Sequence, residues 1–433
     1  MSVIATAPDT LRNADLPTLA AALNDQRTRA VDLVVPARSI LFRRNALIVD
    51  GVEPMLSENG VTEVNGLYLP TRVALEGISA KLKFPLEFAG RCRTMLHMDV
   101  ADGRTLFDVN VNRLLQAQPL DARYLVRLLK SADGAPGGDG ADGVMRALLS
   151  DRFRCIDNFD VVLAALRGMT EAGITDPIIE ADLTERRMIV KVGVPQIATL
   201  APKLLEGYRS PFGGHDASVV RRDGREGGLG GWTPERVANA SRGEGQTIEG
   251  GGETVFAGFV ISNSEVGGGG FNITPRLVIR LCNNGLTIAA EALKRVHLGA
   301  QMDAGVVDWS EETARRNLAL VASQTADAVR KFISPDYLNA KVAELEADAA
   351  TPLTDAQTVI ATVSKSLGFS EVEATNILAH FIQGGQMTAG GVMQAVTSAA
   401  QLHEDGDDAW AMEAKGIPAM HAAVAAMRTL AKV

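Results

Sequence analysis

Cations recur in this chain at spacings that put them side by side. Arg152 and Arg154 flank Phe153, Arg187 and Lys191 are four residues apart, as are Arg276 and Arg280, and Lys294 adjoins Arg295. In an extended segment side chains alternate faces, so residues two or four apart share one face. Guanidinium and ammonium groups aligned in this way neutralise phosphates, and a ring such as Phe153 beside them stacks on bases. These nine residues are therefore the candidate contacts to single-stranded DNA, provided that they converge in one exposed trough. The competing reading is that each is a solvated charge paired with a nearby Asp or Glu.

Other chemistry has little foothold. The chain has no GxxxxGK[ST], no GxGxxG after a strand, no GxSxG and no HExxH, so phosphate-loop, dinucleotide, esterase and zincin readings lack their signatures. Cys92, Cys155 and Cys282 are odd in number and form no CxxC pair, which predicts reduced thiols and neither a disulfide framework nor a zinc cage. Glu265 lies among Asn263, Ser264 and the glycines 267–270. Turn chemistry accounts for it first, and an enzymatic site around Ser264, Glu265, Asn284 and His297 is the weakest of three readings. No catalytic residue, metal or cofactor is assigned.

The chain has 433 residues, 46% hydrophobic, with a net charge of −9. Acidity alone argues against a polyanion partner, but it is unevenly distributed. Residues 1–300 carry 34 Lys and Arg against 35 Asp and Glu, whereas residues 301–433 carry 9 against 17. The first part can hold basic patches on a near-neutral whole. The N-terminus lacks a signal-peptide pattern and no run of eighteen apolar residues occurs, which predicts a cytoplasmic protein with no membrane partner.

The elements that must position these residues read as an α+β fold. Residues 33–51 suggest two short strands with Arg43, Arg44 and Asn45 at their turn, either a solvated corner or a phosphate contact. Residues 71–92 read as two helices broken at Pro85, and residues 108–130 continue helical through Leu114, Leu115, Leu125, Leu128 and Leu129. A helix starts at Asp157 or Asn158. The central plan is three antiparallel strands over 186–194, 254–263 and 272–282, then a helix over 285–297, a β-β-β-α core. A glycine-rich excursion covers 209–252. After 305 helices repeat, with capping-box spacing at Asp308/Glu311, Thr354/Gln357 and Ser370/Glu373, and the acidic run at 404–410 reads as a solvated turn. The expected divisions are an N-terminal segment 1–64, an α+β core domain 65–304 and a helical domain 305–433.

The phrases TRVALEGISAKLKFPLEF, RALLSDRFRCIDN and GFVISNSEVGGGGFNITPRLVIRLCNNGL followed by RVHLG together resemble the phage and plasmid family called domain of unknown function 932. The likeness covers much of residues 65–300 and implies a setting in mobile genetic elements. In plan alone, three strands and a helix packed across them are similar to the ring-forming single-strand annealing superfamily of Red-beta and Erf type. That similarity implies single-stranded DNA binding in a basic groove, and homo-oligomers. The leading expectation is thus a cofactor-independent single-stranded DNA-binding or annealing protein of replication or recombination in a bacteriophage. The rival is a non-enzymatic protein-binding or assembly module.

Overall fold

A computed structural model of the chain describes residues 10–57, 60–95, 104–132, 140–153, 155–205, 208, 254–279, 285–287, 293–295 and 311–430. Strand β1 (Leu11–Ala14) precedes helix α1 (Leu16–Arg29), which starts where the Asp15 carboxylate accepts the Thr18 N–H at 2.9 Å. Then come β2 (Ala30–Pro36), β3 (Leu41–Arg43), β4 (Ala46–Val49), a small arm of β5 (Met55–Ser57) and β6 (Gly60–Thr62), and β7 (Gly66–Pro70). Helices α2 (Arg72–Leu82), α3 (Leu86–Thr94) and α4 (Leu106–Gln116) follow, then β8 (Arg123–Lys130) and β9 (Gly143–Ser150). Six of these strands form a sheet in the order β2-β8-β9-β7-β4-β3, parallel only between β7 and β9. Its core takes Leu75, Cys92 and Phe107 from the three helices and Phe42, Tyr68 and Leu128 from the strands.

Several expectations hold in this part. Arg44 and Asn45 both have positive φ, 54° and 65°, the conformation that joins two strands through a two-residue turn. The α2–α3 break falls at Lys83 and Pro85. Two expectations fail. The helix ends at Gln116, and Arg123–Lys130 is a strand. Tyr124, Val126 and Leu128 face the core while Leu125, Arg127 and Leu129 are buried on the other face, so the run lacks the alternation that marks a half-buried strand. A division at 64/65 also fails, because β4 pairs with β7 across it. A register tie of this kind makes the two segments one sheet.

The second sheet begins after α5 (Asn158–Glu171), whose cap is Asp157, accepting the Phe159 N–H at 2.8 Å. It contains β10 (Ile178–Leu183), β11 (Met188–Leu200), β12 (Thr254–Asn263), β13 (Phe271–Ile279), β14 (Gly285–Thr287) and β15 (Leu293–Arg295), with the short helix α6 (Pro202–Leu205) after β11. The order is β1-β10-β11-β12-β13-β14, β15 also pairing with β13, and every pairing is antiparallel. The three expected strands are its centre. The expected helix over 285–297 is replaced, where described, by β14 and β15, with Leu286 opposite Leu277 and Lys294 opposite Asn272. The open edge of β13 offers ladder hydrogen bonds, and the Asn-Gly pair at 284–285 is as much a hairpin signal as a helix corner.

Seven helices complete an α+β fold: α7 (Glu311–Phe332), α8 (Pro335–Ala349), α9 (Ala356–Leu367), α10 (Glu371–Gly384), α11 (Ala389–Ala400), α12 (Gly406–Glu413) and α13 (Gly416–Leu430). The Ser370/Glu373 capping box is present in full, Asp355 rather than Thr354 caps α9, and Asp308 lies outside the described residues. The acidic run, expected to be a turn, opens α12, where Asp405 accepts the N–H groups of Asp407 and Asp408. One face of the second sheet is apolar throughout. Val192, Phe259 and Phe271 pack with α1, α5 and α7, and Val255, Leu277 and Ile279 with the helices from α8 onward. A Cβ at Gly168 would stand 2.7 Å from the Ala322 carbonyl oxygen, so α5 and α7 approach where only glycine fits. Among the described residues no helix is long and apolar enough to cross a membrane.

Candidate nucleic-acid interface

The face opposite that apolar layer carries Glu180, Asp182, Lys191 and Arg276, fixed there by the register Glu180 to Lys191 to Val260 and Gly258 to Arg276. It is not a surface. Lys191 and Arg276 are each 3% exposed. The Lys191 ammonium lies 3.1 Å from Asp182 and 3.8 Å from Glu413, and the Arg276 guanidinium lies 2.9 Å from the fully buried Glu413 of α12. Arg187 stands 2.6 Å from Asp407, also on α12. The predicted phosphate contacts Lys191 and Arg276 are therefore corrected to internal ion pairs, and Arg187 to a partly exposed pair with Asp407. Period two identified their shared face correctly, but the acidic helix that covers it comes from well over a hundred residues away.

Burial sets the titration of this cluster. It pushes the Glu180 carboxyl up to about 7, against the pull of Lys191 and Arg276. Burial acts the same way on Asp182, but Lys191, Arg12 and the Asn13 N–H outweigh it and hold that carboxyl down at about 2. A carboxyl whose folded pKa is raised binds its proton more tightly in the folded state, so stability falls as pH rises from the ordinary value of 4.5 through about 7. Glu180→Gln mimics the protonated acid. It is expected to exceed the native chain in unfolding free energy by about 3 kcal/mol at pH 8, at roughly 1.4 kcal/mol per pKa unit, and to lose that advantage at pH 5. Urea unfolding at the two pH values checks this.

Glu265 organises a second buried cluster, at the tip of the β12–β13 hairpin. Its carboxylate accepts from Arg146 at 2.9 Å, from Arg127 at 3.3 Å and from the Asn158 N–H at 2.7 Å, and Arg127 also reaches Asp32 at 3.2 Å. Burial would raise this carboxyl, but the two guanidiniums and the N–H hold it below its usual range. The hairpin of the second sheet is thereby fastened to β8 and β9 of the first. Ser264 donates to the Arg186 carbonyl at 2.6 Å and accepts the Gly268 N–H at 2.8 Å, and burial pushes the nearby Cys155 thiol up. Both Ser264 and Glu265 are engaged in holding the turn; Asn284 and His297 lie outside the described residues.

Arg152 is exposed and Phe153 half-buried in the link between β9 and α5, while Arg154 and Arg280 lie outside the described residues. Lys294 and Arg295 occupy β15, opposite Asn272 and Phe271.

Exposed cations gather elsewhere, around α3, α4 and the β3–β4 turn. Three contacts bring these elements together. The Asp108 carboxylate of α4 accepts the Arg44 and Asn45 N–H groups, both at 2.9 Å, the Asn112 amide bonds both the N–H and the carbonyl of Phe42, and the Asn45 amide donates to the Arg93 carbonyl of α3 at 3.0 Å. The turn's N–H groups thus already hold an internal carboxylate, so the turn offers a phosphate its side chains only. Arg43, Arg44, Arg91 and Arg113 are exposed, and among the described residues no carboxylate lies in ion-pair range of their guanidiniums. Phe88 is 48% exposed and Met95 53%; Phe88 and Arg91 are neighbours one turn apart on α3, and Met95 is its C-cap. Between α3 and α4 runs an apolar slot lined by Phe84, Phe88, Cys92, Phe107, Asn110 and Leu114. Arg91, Arg113 and Phe88 were not singled out from the sequence, although the i, i+3, i+7 spacing of a ring, a cation and Met95 within KFPLEFAGRCRTM was a readable signal. Compared with protein-family models, with curated proteins and with solved structures, the chain matches none.

Proposed function

We propose that this protein binds single-stranded DNA along the α3–α4 surface, as a cofactor-independent binding or annealing protein of phage-type replication or recombination. The observation that supports the reading is the set of four exposed arginines with no carboxylate partner among the described residues, drawn from the β3–β4 hairpin, α3 and α4, with Phe88 exposed on α3. Cations track a backbone and a ring stacks on bases, while the rest of each base stays open to pairing. The cytoplasmic setting and homo-oligomeric state belong to the same reading. With about four phosphates neutralised, affinity for a single strand is expected to fall roughly 50-fold between about 50 and about 200 mM salt. Fluorescence anisotropy with labelled oligo(dT) measures the slope, and salt-independent binding contradicts the proposal.

One observation favours a second reading, a protein-binding or assembly module. Leu41, Ile48 and Leu67 are direct neighbours across β3, β4 and β7 on the face away from the core, and Leu41 and Leu67 are exposed. An apolar row on a solvent face is characteristic of a contact surface. Leu41→Glu with Leu67→Glu is expected to shift the sedimentation coefficient if that row joins copies, and to leave it unchanged if the row stays in water.

A further inference from the structure

Phe88 stands at the mouth of the slot between α3 and α4, edge-on to Phe84 with ring centroids 6.5 Å apart and planes at 70°. Behind it the slot is lined by Cys92, Phe107 and Leu114. Among the described residues its one polar lining side chain is Asn110, whose amide donates to the Cys92 sulfur at 3.8 Å, a long contact with a weak acceptor. Arg91 lies one helical turn after Phe88 on α3, and Arg113 one turn after Asn110 on α4; residues three apart on a helix are neighbours. A flat apolar surface is thus bracketed by cations from both helices.

We infer that Phe88 is the stacking platform for one unpaired nucleobase, with Arg91 and Arg113 holding the phosphates on either side of it. The inference rests on the single-stranded DNA reading and assigns the residue that distinguishes a single strand from any other polyanion. An aromatic face is available to an unstacked base and closed to a base inside a duplex. Charge complementarity selects this occupant: a nucleotide joins a flat apolar ring to an anion, as the slot joins a ring to guanidiniums.

The test uses the full chain carrying Phe88→Trp, with Phe88→Ala beside it. Phe88 is half-exposed, so both variants are expected to keep the thermal unfolding midpoint of the native chain. Oligo(dT) of about 15 nucleotides is expected to quench the added tryptophan emission, whereas an abasic polymer of the same length binds without quenching. Phe88→Ala is expected to weaken oligo(dT) binding about tenfold to a hundredfold and to leave its salt slope unchanged. Salt-dependent binding with no quenching and no loss in Phe88→Ala overturns the platform while the α3–α4 surface stands. Equal quenching by the abasic polymer, or by an acidic peptide, also overturns it. Failure of the native chain to bind oligo(dT) at all removes the DNA reading, and the platform with it.

Discussion

Glu265→Ala is expected to lower the unfolding free energy by about 3–5 kcal/mol, because it strands buried cations without a counter-charge. Arg146 is 5% exposed and pairs with Glu265, while Arg127 keeps Asp32 as its ion-pair partner among the described residues. The Asn158 N–H at the start of α5 loses its acceptor in the same step. A loss of that size is a large fraction of the roughly 5–15 kcal/mol that holds a typical domain together. Urea unfolding at pH 7 with an unchanged m-value measures it, and a loss below about 1 kcal/mol would show that the pair behaves like a surface one. The sign with pH follows from the lowered Glu265 carboxyl. Its contribution is present above the ordinary pKa of 4.5 and is lost as pH falls through the lower folded value.

Glu413→Ala is expected to cost a similar amount, about 3–5 kcal/mol, for the same reason on the other side of the molecule. Glu413 is fully buried and serves Arg276 and Lys191 together. Lys191 keeps Asp182, so the uncompensated charge is mainly that of Arg276. Replacing both partners, Arg276→Met with Glu413→Leu, is expected to recover most of the loss, since a buried pair can be exchanged for apolar groups of similar volume. A double variant no more stable than Glu413→Ala would mean that the cost lies in the packing of α12 rather than in charge. The same experiment discriminates an internal pair from a phosphate contact: a surface arginine can be removed with little effect on stability.

These pairs show what could and could not be read from the chain. Strands β11, β12 and β13 and helices α5, α7, α8, α9, α10 and α11 were legible because their apolar residues follow one period and their caps are local, as at Asp157 and Ser370. Strand β8 was not, since both its faces are buried and the alternation disappears. Nor were β14 and β15, whose apolar spacing also suits a helix; the edge of β13 decides the matter. The alternation that put Lys191 and Arg276 on one face says nothing of what covers it. Thr184 meets Asp407 across 223 positions, and Arg146 meets Glu265 across 119, distances at which sequence spacing carries no signal. Arg44 and Asn45 were legible as a turn; that their N–H groups hold Asp108 depends on how α4 packs.

The proposed polyanion surface on α3 and α4, in place of one on the second sheet, is tested most directly by Arg91→Glu with Arg113→Glu. In oligo(dT) anisotropy titrations at about 50 and about 200 mM salt, the variant is expected to bind at least roughly tenfold more weakly at the lower salt, with a log–log slope shallower by about 1.4, for two phosphates released. Its unfolding midpoint should match that of the native chain. Native-like affinity and slope in this variant would contradict the account.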